Sequence, residues 1–179
     1  MPLELFSASA PPARYPFLGM AVLLQNDFLT VTLDQERSIV RSTRSEHTYA
    51  SPDEFIRIHT EALQVYESLD RPSLGHLIDL RRPPMNNDPS FEAATMRTRS
   101  MLVQEFAAVA IVVRTAVGAL QVNRLLREEN NDSVVVLHDE DVALGYLVEE
   151  LRKVVRRSST PPGGRDRSSR PSARPLRVR

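Results

Sequence analysis

Three short stretches of this chain carry side chains that could act together. Leu77-Ile78-Asp79-Leu80 sets one carboxylate inside an apolar run, and Arg81, Arg82, Asn86, Asn87, Asp88 and Ser90 follow it. Arg114 and Thr115 close a second apolar run, and His138, Asp139 and Glu140 close a third. Arginines beside helix starts favour an anion or a phosphate, because first-turn N–H groups are unpaired and the helix dipole is positive there. The same residues also suit plain ion pairing, with arginines at strand ends neutralising caps such as Asp88 and Asp139. Asp79 is open in the same way. A buried carboxylate needs a partner, Arg81 or Arg114, and perturbed carboxylates occur at structural and functional sites alike.

Other chemistry finds little support. His138-Asp139-Glu140-Asp141 contains one histidine and a natural helix cap, without the spacing of a metal site such as HExxH. His59 falls on a helix face and His76 in a strand, where packing explains them, and His47 lies in a polar loop. There is no glycine-rich phosphate loop, GxSxG elbow or Ser/His/Asp spacing. No catalytic residue, cofactor or metal is therefore expected. A weaker alternative is an enzyme using Asp79, Arg114 and His138 at one rim. The chain has no cysteine, which removes disulfides and thiolate chemistry and fits a reducing cytoplasm.

The 179 residues suit one domain with extensions. The 23 basic and 23 acidic residues balance, but unevenly. Arg156 to Arg179 is Arg-, Ser- and Pro-rich and carries about seven net positive charges, so the rest carries about seven negative. The expected division is a disordered leader at 1–19, a folded domain at 20–157 and a disordered tail at 158–179. The tail could seek an acidic partner, yet it lacks aromatic residues to stack on bases. No apolar run is long enough to span a bilayer. A single lysine among the basic residues, with many Ala, Val and Pro, fits a GC-rich bacterial genome.

The elements that must position these residues follow from periodicity and caps. Phe28–Leu33 alternates as a half-buried strand and pairs with Ser38–Thr43 as a hairpin. Ser51-Pro52-Asp53-Glu54 starts a helix with Phe55, Ile58, His59, Ala62, Tyr66 and Leu69 on one face. Leu74–Leu80 is a strand. Asp88-Pro89 starts the second helix, with Phe91, Ala94, Met101, Leu102 and Phe106 expected inside. Ala107–Val113 is a central strand. Thr115 caps the third helix, with Val117, Leu120, Leu125 and Leu126 apolar. Ser133–Leu137 is the last strand, and Asp139 caps the last helix. The prediction is an α/β fold, β-β-α-β-α-β-α-β-α, with a mixed, largely parallel sheet of about five strands and about four helices.

This order, with the stretch LIDLRRPPMNNDPSFEAA from Leu77 to Ala94, resembles the STAS and SpoIIAA-like family of anti-sigma-factor antagonists and sulfate-transporter domains. The resemblance covers roughly Leu24 to Arg157. It implies a non-enzymatic regulatory module that binds a regulator or kinase-like protein partner. It also implies a phosphorylatable serine at the second helix start, for which Ser90 is the nearest counterpart, one residue displaced. Arg81, Arg82, Asn87, Asp88, Ser90, Arg114 and Thr115 are the expected partner- or anion-binding residues, since ligands of open α/β sheets bind beyond the carboxyl ends of parallel strands. A small anionic or lipid-like ligand at the same rim is the alternative.

Overall fold

The computed structural model describes residues 19–84 and 86–158. The described residues begin with three antiparallel strands, β1 (Met20–Gln25), β2 (Leu29–Asp34) and β3 (Ile39–Arg44). From β3 onward strands and helices alternate: α1 (Pro52–Glu67), β4 (Gly75–Asp79), α2 (Pro89–Val103), β5 (Ala108–Val112), α3 (Ala116–Glu128), β6 (Val134–Leu137) and α4 (Glu140–Ser158). The sheet order is β1-β2-β3-β4-β5-β6, with β3 to β6 all parallel. This is the mixed, largely parallel α/β sheet with four helices that the sequence predicts, with six strands rather than about five.

The additional strand is β1. Its MAVLLQ sequence is too uniformly apolar to announce a period of two, and a register shift between Val22 and Leu24 interrupts its pairing with β2. The turn that separates them is built by Asn26, whose Oδ1 accepts from the N–H groups of Phe28 and Leu29. Gly19, expected in the leader, belongs to the fold. Its carbonyl accepts from Gln35 N–H, and its φ of +83° suits glycine. The rest of the expected leader, and all of the tail after Ser158 with its acidic partner, lie outside the described residues.

Each crossover from one parallel strand to its neighbour moves in the same direction, so right-handedness puts α1, α2 and α3 on one face. Among the described residues only α4 covers the other. There Ile39, Leu77, Ala110, Val112, Ala143 and Leu147 form a core of almost fully buried side chains. The α1 face holds Leu29, Val31, Val40, Ile58, Ala62 and Tyr66, and the α3 face Val109, Ile111, Val113, Leu126 and Val134. Among the described residues no helix is long and apolar enough to cross a membrane.

Two expected helix faces need correction. In α2, Ala94 and Met101 are exposed, and Thr95 and Thr98 are the buried positions. Phe106 lies beyond the end of α2 and packs against Tyr66 and His76. In α3, Val117 and Leu120 are 65 % and 72 % exposed while Leu126 is buried. Both helices are tied down largely by polar contacts, which hydrophobic spacing does not reveal. Arg99 donates to Glu129 at 2.8 and 3.0 Å, and Arg124 donates to both oxygens of Glu92 at 2.8 and 2.9 Å.

Candidate functional site

The carboxyl ends of β3 to β6 form one rim, and its α4 side is occupied by four charged residues. Arg81 grips Asp79 with Nε at 2.9 Å and Nη2 at 2.7 Å, and its backbone N–H adds a third bond at 3.1 Å. Arg81 Nη2 also reaches Glu140 at 2.5 Å, in the first turn of α4. Arg41 completes the group, donating to Glu140 at 2.5 Å and Asp79 at 3.4 Å. Burial works to raise the Asp79 carboxyl, but the Arg81 hydrogen bonds and the Arg41 charge prevail and hold it below its ordinary value. Two cations and two anions cancel, so this cluster ties α4 to the sheet and presents no unmet charge.

Of the two candidate partners for Asp79, Arg81 or Arg114, the structure shows Arg81. Arg41 joins it, while Arg114 is exposed and makes no ion pair among the described residues. Arg81 does not turn toward Asp88 or Ser90. Asp88 caps α2, accepting from the Ser90 N–H at 2.8 Å and the Ser90 hydroxyl at 2.7 Å, bonds that keep its carboxyl below the usual range. Arg82 and Asn87 on the preceding loop and Ser90 in the first turn of α2 are exposed. Thr115 caps α3 by accepting from Gly118 N–H at 3.0 Å. Arg81, Arg114 and Thr115 do converge, around a surface groove of about 270 Å³ that is floored by Leu80 and Val113 and walled by Pro83 and Pro84. His138 stands apart from Asp79, with its Nδ1 3.2 Å from the Val113 carbonyl oxygen. Asp139 caps α4, accepting from Val142 N–H.

A second feature, the more apolar, lies between the sheet and α1, α2 and α3. Here a cavity of about 250 Å³ is lined mostly by apolar side chains, among them Ile78, Leu102, Ile111, Val122 and Leu125. Pro83, Pro84, Asn86 and Phe91 line it on the rim side, and Pro83 and Pro84 also line the groove. The exposed lining residues His47, Thr48, Pro84 and Asn86 mark its mouth. One buried polar cluster sits within its wall. The Ser42 hydroxyl lies 2.6 Å from the Tyr66 hydroxyl and 2.9 Å from His76 Nε2. Burial pushes His76 down to about 3 against the opposing pull of the Leu102 carbonyl, and His59 down to about 4. Burial also lifts the Tyr66 hydroxyl to about 12.

Arg44 is the exceptional residue of this wall. It ends β3 and is 6 % exposed. Its Nη2 donates to the His47 carbonyl at 3.0 Å, and its guanidinium lies 4.1 Å from the Tyr49 ring centroid. Its Nη1 has no hydrogen-bond partner, and no carboxylate pairs with it among the described residues. Burial lowers it to about 10. Tyr49, Phe55, His59 and Phe91 form a connected aromatic group beside it, with Phe55 and His59 stacked at 4.0 Å. Sequence reasoning stopped the strand one residue short and missed Arg44. The available signal was alternation, because Val40, Ser42 and Arg44 share the parity that faces the helices.

Among the described residues no three His, Asp or Glu side chains gather to hold a metal ion. Comparison of the chain with protein-family models, with curated proteins and with solved structures finds no match.

Proposed function

We propose that this chain is a non-catalytic, cytoplasmic regulatory module of SpoIIAA-like type that responds to a small, largely apolar anion. The ligand occupies the interior cavity, and the loop from Arg81 to Phe91 reports its presence to a protein partner. The observation that carries this reading is Arg44, a buried cation without an acidic partner on the wall of an apolar cavity. A buried charge is costly unless it is paired. A site that keeps one beside open apolar space is suited to an anionic guest.

The regulatory part rests on the shared wall. Pro83, Pro84, Asn86 and Phe91 face the cavity, while Arg82, Asn87 and Ser90 on the same loop and helix start are exposed. The order of alternating strands and helices after the first antiparallel strands, together with the strand-loop-helix stretch from Leu77, supports the SpoIIAA-like reading. Ser90 offers a point of control. Phosphate there would add roughly −1.5 to −2 charges at a helix start and invert what a partner meets. The cysteine-free composition agrees with a cytoplasmic setting.

Native mass spectrometry of the full chain, isolated gently from its own cells, tests the binding claim. One retained small molecule per chain is expected, and its loss in Val122→Phe, which fills the cavity from α3. Protein without any retained or added small ligand, at all concentrations tried, contradicts it.

A further inference from the structure

We propose that the cavity is a binding site for a monocarboxylic acid with a compact apolar body, its carboxylate paired with Arg44. This inference rests on the ligand-binding reading above and specifies its chemistry.

The charge count fixes the head group. Arg44 brings one unpaired positive charge, with Nη1 unbonded. The other charged lining residues, Arg99 and Glu129, cancel each other across 2.8 Å. Burial keeps His59 and His76 neutral at ordinary pH. One negative charge therefore neutralises the site, and a second would be buried without a partner. A planar carboxylate matches a guanidinium, of which Nη2 is already engaged by the His47 carbonyl and one planar face by the Tyr49 ring. A phosphate monoester brings nearly two charges at neutral pH and three oxygens that need donors, and the wall beside Arg44 is aromatic. Size fixes the body. A cavity of about 150 Å³ accepts benzene, so about 250 Å³ takes roughly ten non-hydrogen atoms by proportion.

Isothermal titration of the full chain at neutral pH with octanoate, octanol, octyl phosphate and dodecanoate tests this. Octanoate should bind one per chain, at least about tenfold tighter than octanol, since a charge-assisted bond to a buried group is worth about that much. Arg44→Met removes an unpaired buried charge, so it should fold with a raised Tm and bind octanoate no better than octanol. Arg44→Lys should keep the preference at lower affinity. Equal binding of octanoate and octanol, or an unchanged preference in Arg44→Met, overturns the carboxylate assignment and leaves the binding reading standing. Tighter binding of octyl phosphate than octanoate overturns it in favour of a phosphate head group. A further large gain with dodecanoate overturns the size limit. No binding of any of the four, octanol included, overturns the ligand-binding reading itself.

Discussion

Charge at single residues decides how this fold responds to pH. His59 and His76 are both held neutral by burial, at about 4 and about 3 against an ordinary 6.5. A histidine depressed in the fold takes up its proton more readily when unfolded, so stability is complete above pH 6.5 and falls as the pH drops toward the folded values. Lowering the pH from 7 to 5 should therefore cost about 2 kcal/mol for each histidine, through preferential protonation of the unfolded chain. Urea unfolding at the two pH values measures this, and His59→Leu should remove about half of the loss. A wild-type loss well under 1 kcal/mol would mean that water reaches both rings. Asp79 and Glu140 act lower down. Their carboxyls lie below the ordinary range, so the stability they contribute disappears only as pH falls through that depressed region. The sequence made Asp79 and Arg81 legible because they lie two residues apart in an apolar setting. Arg41 lies 38 residues from Asp79 and Glu140 lies 59 from Arg81, in pairings no local pattern encodes.

Elements with strong periodicity and good caps were legible, and those held by polar contacts were not. Helix α1 begins as read, with Ser51 accepting from Glu54 N–H at 3.2 Å and Pro52 in the first turn. Strand β5, the most apolar stretch, is fully buried between β4 and β6. In α2 the apolar positions that sequence reasoning chose include exposed Met101, while Thr95 turns inward and accepts from Arg99. One link between α2 and the end of α3 is Glu129, whose side chain is 4 % exposed and accepts from Arg99 and Ser100. Glu129→Ala strands Arg99 and should cost about 2 kcal/mol, less than the full price of a buried broken pair because Arg99 is partly solvated. The loss should be local. Hydrogen exchange followed by mass spectrometry should show α2 amides opening faster in this variant while α4 keeps its protection. Equal acceleration in α4 would mean that α2 does not move independently as the cover of the cavity.

The whole molecule is a sheet with two unequal faces, and the inequality follows from its strand order. Three consecutive crossovers place α1, α2 and α3 on one side, and among the described residues α4 alone covers the other. On the α4 side small residues allow close approach. Ala110 and Ala143 are fully buried, and Gly75 has Leu147 atoms 3.5 Å from where its Cβ would stand. On the opposite side three helices meet without filling the centre, and about 250 Å³ remains. This difference predicts opposite responses to the same kind of substitution. Ala143→Leu forces extra volume into the dense side and should cost about 1–3 kcal/mol by strain, since close-packed cores resist added methylenes. Val122→Phe adds volume facing the cavity and should be neutral or stabilise by up to about 1 kcal/mol, because lost packing rises with empty volume. Denaturant midpoints at constant m-value measure both changes. If Val122→Phe proves as costly as Ala143→Leu, the helices have no slack above the sheet. The interior is then a packed core, and Arg44 must find its counter-charge at the surface.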